Sequence, residues 1–301
     1  MKKVIVIVGP TAVGKTKMGV RLAQKYNGEV ISGDSMQIYK RMNIGTAKVT
    51  KEEMEGIVHH CIDMKEPNET YSVSQFQKTV RDLIDDIISR NKVPIIVGGT
   101  GLYIKAVLYD YHFDQSKRLF DKDKYKDYTN HQLYDYLKII DPTSAKTIHI
   151  NNRRRILRAI EIYETTGIKK SENEEKQSHQ MIYDAYLLGL SIHRELLYKR
   201  INQRVDQMFL LGLKEEVDYL ISRGCTKDLQ SMRAIGYKEW FTDDNLETIK
   251  EKIKIHSRQY AKRQYTWFNN QMPVKWYMID EKGFEDSLED IERDVNEWME
   301  L

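Results

Sequence analysis

Short β-branched runs recur along the chain, at Val4 to Val8, Val30 to Ser32, Pro94 to Val97, Ala185 to Ile192 and Val274 to Ile279. Unbroken apolar runs of this length predict strands covered on both faces, because an exposed face would show a polar residue at every second position. Between the runs the apolar period lengthens to that of a helix. From Ser72 to Arg90, the residues Phe76, Val80, Leu83, Ile84, Ile87 and Ile88 fall on one stripe, and Ser72 with Gln75 makes a capping-box pair ahead of it. Strands alternating with helices predict an α/β fold with a parallel sheet and helices on both faces.

The strand rhythm stops between about Phe113 and Tyr183. In its place come helical sequence, such as His131 to Leu137, and a polar run from Lys169 to Gln180 that is too poor in apolar residues to pack and is expected to be a loop. The segment from Tyr109 through Ser116, Lys117 and Arg118 to Asn130 is irregular. The predicted organisation is therefore a core begun by residues 1–112, a mainly helical insertion over 113–183, and a return to the core with C-terminal helices over 184–301. Within the last part, Leu246 to Asn270 is long and amphipathic, with Ile249, Ile253, Tyr260 and Trp267 at helical intervals.

Composition narrows the class. The chain has 301 residues, and 41% hydrophobic content is enough for one core plus a smaller unit. Lys and Arg outnumber Asp and Glu by only 48 to 45, so any nucleic-acid surface must lie in local clusters rather than in the net charge. Cys61 and Cys225 stand far apart without ligand spacing, which argues against a disulfide scaffold and against structural zinc. The pair His59-His60 lacks a third ligand and is read as structural. The apolar run after Met1-Lys2-Lys3 is shorter than a signal-peptide core, and no stretch approaches the ~20 apolar residues of a membrane span. A cytoplasmic protein without membrane attachment is expected, and nothing demands more than a monomer.

Gly9-Pro10-Thr11-Ala12-Val13-Gly14-Lys15-Thr16 matches G-x-x-x-x-G-K-[ST] and sits between a predicted strand and a predicted helix. In that context backbone N–H groups converge on phosphate oxygens, the helix presents its positive end, Lys15 adds a mobile charge and Thr16 can hold Mg²⁺. The fold class is thus a P-loop NTPase-like sheet. The loop binds a polyphosphate, which could be a nucleoside triphosphate or the diphosphate of another donor. No convincing Asp ends an apolar strand to hold the Mg²⁺ water shell of an ATPase. Instead Pro94 to Val97 ends in Gly98-Gly99-Thr100-Gly101, and Val30 to Ser32 ends in Gly33-Asp34-Ser35-Met36-Gln37. A usual doubly wound strand order would put Asp34 beside the cradle, where it could take a proton from an attacking group.

These segments, together with Asn43-Ile44-Gly45-Thr46-Ala47-Lys48, Met232-Arg233-Ala234-Ile235-Gly236-Tyr237-Lys238-Glu239 and Ala261-Lys262-Arg263-Gln264-Tyr265-Thr266-Trp267-Phe268, resemble the tRNA dimethylallyltransferase family in content and order. The resemblance implies transfer of a dimethylallyl group from dimethylallyl diphosphate to the exocyclic amine of the adenosine 3′ of the anticodon, assisted by Mg²⁺. It implies that the phosphate loop, with Lys15, stabilises a leaving diphosphate, that Asp34 is the base and that Thr100 donates to the bridging oxygen. Ser35, Met36 and Gln37 would line the path of a flipped adenine, an extrusion costing roughly a few kcal/mol. The resemblance also assigns Arg154, Arg155, Ile156, Leu157 and Arg158 to the tRNA anticodon stem-loop.

Arg258, Lys262 and Tyr265, at i, i+4, i+7, could meet phosphates and stack on a base, or could belong to a basic helix packed on its own domain. Arg223 lies outside the matching segments and has no assigned role. Two competing functions remain open on the sequence: a P-loop small-molecule kinase using Asp34 as base, and an RNA-binding ATPase without prenyl chemistry.

Overall fold

The computed structural model describes residues 1–111, 113, 120–121, 123–175 and 180–300. Its contacts divide into two compact units, Met1–Tyr109 with Met181–Leu301, and Asp110–Gln180. The irregular segment around Ser116, Lys117 and Arg118 lies outside the described residues.

In the first unit the strands are β1 (Lys3–Val8), β2 (Gly28–Ser32), β3 (His59–His60), β4 (Val93–Val97), β5 (Asp184–Ser191) and β6 (Lys275–Met278). They form one parallel sheet in the order β3-β2-β4-β1-β5-β6. The pleat sends alternate side chains to opposite faces, and both faces are covered. Val4, Val6, Val8, Ile31 and Ile96 enter one apolar cluster, while Ile5, Ile7, Val30 and Ile95 enter the other. That two-sided burial is why the strands read as unbroken apolar runs. β3 was not anticipated, since two histidines give no strand pattern; His60 is held there by the carboxylate of buried Glu29 at 2.8 Å.

The helices of this unit are α1 (Lys15–Lys25), α2 (Lys51–Met54), α3 (Val73–Ser89) and α4 (Gly101–Leu108). The insertion carries α5 (Asn130–Ile140), α6 (Pro142–Thr147), α7 (Arg153–Thr166) and α8 (Lys170–Glu175). After it follow α9 (Arg194–Leu210), α10 (Leu213–Ser222), α11 (Leu246–Gln271), α12 (Ile279–Lys282) and α13 (Phe284–Glu300). α3 shows how local chemistry sets a boundary. The Ser72 hydroxyl accepts from the Gln75 N–H at 3.1 Å and the Gln75 carboxamide accepts from the Ser72 N–H at 2.9 Å, so two otherwise orphaned donors are satisfied. Its buried stripe of Phe76, Val80, Ile84 and Ile87 contributes roughly 1.5–3 kcal/mol per side chain.

The second unit has its own core of Leu133, Leu137, Ile156, Ala159 and Ile160. Part of the polar run expected to be a loop is helical. In α8 the Ser171 side chain is buried, donating from Oγ to Asp141 at 2.7 Å, and Lys170 pairs with Glu174 one turn on. Local ion pairing and one buried anchor thus replace the missing apolar stripe. Residues 176–179 of that run lie outside the described residues.

Candidate active site

Three strand ends converge because hydrogen bonds lock their exits together. Gly33 N–H donates to Val97 at 2.8 Å, Gly98 N–H to Ile7 at 3.1 Å and Thr100 N–H to Gly33 at 3.4 Å. The sheet order departs from the usual doubly wound one in which β2 neighbours β1: β4 runs between them. Asp34 nevertheless reaches the phosphate loop, because the chain crosses over β4 through glycine. A Cβ on Gly98 would stand 2.5 Å from the Gly33 backbone, and backbone cannot yield. We expect Gly98→Ala to lower stability by roughly 1–3 kcal/mol or more in urea unfolding, through overpacking.

The phosphate loop itself holds three residues at positive φ, Ala12 at +68° and two glycines. Gly9 has φ +139°, with the Leu190 carbonyl 2.4 Å from where a Cβ would sit, and Gly14 caps α1 in the left-handed region at φ +95°. Lys15 Nζ donates to the Pro10 carbonyl at 2.6 Å. Burial and repulsion from Arg204 lower its pKa to about 7, against an opposing pull from Asp34 that raises it. Arg204, from α9, donates to the Thr11 hydroxyl at 3.1 Å and is likewise depressed, chiefly by burial. Among the described residues neither cation has a carboxylate within ion-pair distance. Lys15 is half-buried and Arg204 is exposed to solvent, and two cations set side by side without a carboxylate partner make a site that an anion would join favourably.

Asp34 follows β2. Burial pushes its carboxyl up, against stabilisation by the Met36 N–H, by Lys15 and by the Gln37 N–H; the Met36 bond is 2.8 Å long. Thr100 caps α4, and its hydroxyl accepts from the Ser35 N–H at 3.2 Å. A cavity of about 620 Å³ runs from Lys15 and Thr16 past Gln37 and Gly99. A second, of about 320 Å³, is bordered by Ser35, Met36, Arg233 and Arg263. The two share Thr11, Asp34, Thr46, Ala47, Arg204, Met208 and Tyr260. Thr100 borders neither and acts on them through its neighbours.

Two struts hold these walls. Gln264 of α11 is buried; its carboxamide oxygen accepts from the Thr11 N–H at 3.0 Å and its NH₂ donates to Gly99 at 3.0 Å. On the other side Glu216 of α10 accepts from the N–H groups of Asn43, Ile44 and Gly45 at 2.8–3.1 Å and from the Tyr237 hydroxyl at 2.6 Å. Glu216 thus pins the loop that supplies Thr46 and Ala47 to both cavities. Glu216→Ala is expected to cost roughly 2–3 kcal/mol in urea unfolding, because several donors lose a charged acceptor at once, and to weaken ligand binding in both cavities. Glu216→Gln, retaining one acceptor oxygen, should recover part of each effect.

The structure brings Gly9 to Thr16, Asp34 to Gln37 and Thr100 together in the first unit. Arg154, Arg155 and Arg158 stand exposed on α7 of the second, Arg158 paired with Glu161 at 2.9 Å. Between them Ile156 is fully buried in the insertion's core, and Leu157 is partly packed on the same core. Of the late basic residues, Arg258 donates to Asn202 at 2.6 Å and the Tyr265 ring lies 4.8 Å from Trp276, while Lys262 is exposed. Arg223 is an exposed helix cap. Sequence reasoning missed Arg204, Gln264 and the position of Tyr260 in the cavity wall.

Fold and site together define an α/β protein of P-loop type whose phosphate loop opens into one cavity at the strand ends, with a second cavity bordered by the same carboxylate. Residues 37–271 match the family described as IPP transferase, and the chain belongs to that family. A tRNA dimethylallyltransferase from Anoxybacillus flavithermus is 52% identical over 299 residues, covering 96% of this chain and 95% of that one. The full-length tRNA isopentenylpyrophosphate transferase from Bacillus halodurans is 43% identical, with a TM-score of 0.76 over 100% of this chain and 97% of its own. A eukaryotic dimethylallyltransferase, solved acting on tRNA, is 34% identical with a TM-score of 0.79 over 94% and 75%. Among the described residues no helix is long and apolar enough to cross a membrane.

Proposed function

We propose that this protein transfers a dimethylallyl group from dimethylallyl diphosphate to the exocyclic N6 amine of the adenosine 3′ of the anticodon in tRNA, acting as a cytoplasmic monomer. The observation that carries the reading is the meeting of two cavities at Asp34, one furnished with cations lacking carboxylate partners and the other with the Ser35 and Met36 wall. The phosphate loop, Lys15 and Arg204 bind the diphosphate in the first. The flipped adenine enters the second.

The N6 lone pair forms the new N–C bond as the allylic C–O bond breaks, and the electron pair of that bond leaves on the diphosphate. The adenine amine is a poor nucleophile until its proton is removed, and Asp34 takes that proton. The loop amides and the two cations neutralise the charge gathering on the departing oxygens. Thr100, one side chain back from the cavity wall, fixes Ser35 and supports the bridging oxygen's surroundings. Among the described residues no cluster of three or more acidic, His or Cys ligands exists. Thr16, an exposed residue in the first turn of α1, would hold an Mg²⁺ ion if diphosphate and water supplied its other oxygens. When bound it would add positive charge beside the leaving group.

Supplied with donor and tRNA, the protein should release one diphosphate per tRNA; supplied with ATP and metabolites but no RNA, it should release none. ATP-dependent phosphorylation of a metabolite would instead favour a kinase. Arg154, Arg155 and Arg158 bind the RNA backbone in this reading. Changing all three to Gln should weaken tRNA binding by ten-fold or more, flatten its salt dependence by up to about three counterions and leave donor affinity alone. Filter binding across a salt series checks this.

A further inference from the structure

The seven residues shared by the two cavities surround the place where the allylic carbon must pass from diphosphate to amine. Asp34, Arg204, Thr11 and Thr46 are polar, and Ala47 and Met208 are aliphatic. Tyr260 is the aromatic member. It lies one helical turn before Gln264, the residue that bridges Thr11 and Gly99, and it borders both cavities together with Asp34. The helix that holds the phosphate loop through Gln264 therefore also sets the place of the ring. Arg263, which lines the second cavity, stands over the ring with its guanidinium carbon 5.8 Å from the centroid. That distance is near the outer limit of a cation–π contact, so Arg263 leaves room for a cation held closer.

We propose that Tyr260 is a further catalytic residue of the prenyl transfer, its ring facing and stabilising the positive charge that develops on the allylic group as the C–O bond breaks. This rests on the transferase reading above. The electron pair of the C–O bond leaves with the diphosphate, the N6 pair arrives, and the N6 proton goes to Asp34; in between, the carbon skeleton carries partial positive charge. Lys15 and Arg204 stabilise the leaving anion and would repel that charge. Asp34 attracts it but is needed for the proton. An aromatic face supplies negative electrostatic potential without a titratable group, in a site where water would capture the cation. A desolvated cation–π contact corresponds to about 30-fold in rate.

The test is a graded series at position 260: Tyr260→Phe, then 4-fluoro-, 3,5-difluoro- and 3,4,5-trifluorophenylalanine introduced at the same site. Fluorine withdraws the ring's negative potential while hardly changing its size. Single-turnover rates with dimethylallyl diphosphate and saturating tRNA should fall progressively along the series, by about ten-fold or more in total, with KM for both substrates and thermal stability unchanged. Tyr260→Leu should fall furthest, by about 30-fold. A series flat within two-fold, or losses confined to KM, would overturn the inference even if Tyr260→Leu were slow or unfolded. A wild-type protein that prenylates no adenosine would remove the transferase reading and this inference with it, whereas an active wild type with a flat series would remove the inference alone.

Discussion

Replacing Asp34 with Asn is expected to slow prenyl transfer by roughly two to four orders of magnitude, the range for loss of a positioned general base. Asn keeps the shape and can still accept from the Met36 N–H, whose bond to Asp34 is 2.8 Å long, so the turn after β2 should survive. KM for the donor should stay within about three-fold, because Asp34 bears on the diphosphate only indirectly, through its pull on Lys15. The pH profile adds a second signature. Burial raises the Asp34 carboxyl above the ordinary aspartate value, with the Met36 and Gln37 N–H groups and Lys15 pulling it back. The working form is the carboxylate, so activity should be lost as pH falls through that raised pKa, at a higher pH than an exposed aspartate would titrate. The acid limb should vanish in Asp34→Asn. An unchanged limb in the variant would assign the titration elsewhere.

Lys15→Ala should be nearly as damaging, by roughly 10²–10³-fold in kcat, since it removes a preorganised cation from the leaving group in a dry site. It should also weaken binding of inorganic diphosphate, the direct probe of ground-state contact. Here the pH dependence has the opposite sign. With a pKa near 7 in the free protein, Lys15 is charged below neutrality and loses its proton as pH rises. An incoming diphosphate favours the charged form and must recruit a proton above pH 7. Calorimetry at pH 8 in buffers of different ionisation enthalpy should therefore show uptake of up to about one proton on diphosphate binding. Lys15→Arg, charged at every accessible pH, should show less uptake. Because Lys15 and Asp34 act on each other, the two profiles report the pair rather than isolated groups.

What the sequence disclosed and what it concealed follow from how locally each feature is encoded. The phosphate loop is eight consecutive residues whose glycines and lysine have one joint purpose, and the strand-to-helix context was visible on either side. Asp34 and Thr100 were legible because each follows glycine at the end of an apolar run. Arg204 was not, because α9 brings it to the loop from almost two hundred positions away; its only local signal is that it falls three residues after buried Ile201. Tyr260 was read as part of an apolar stripe, and periodicity cannot distinguish a helix face that borders a core from one that borders a cavity. Ile156 was grouped with its arginine neighbours; the helical period turns it from Arg154 by about 200°, and its side chain lies in the insertion's core. The position of β4 between β1 and β2 depends on pairing between distant segments, and β3 is too short to show a period.

The central claim is most directly tested by incubating the purified protein with unmodified tRNA, Mg²⁺ and dimethylallyl diphosphate, then digesting the RNA and weighing its nucleosides, with Asp34→Asn alongside. The account predicts one adenosine per tRNA heavier by a single dimethylallyl group, next to the anticodon on its 3′ side, and almost none from the variant in the same time. Unmodified adenosine throughout, with several tRNAs that carry adenosine at that position, would contradict it.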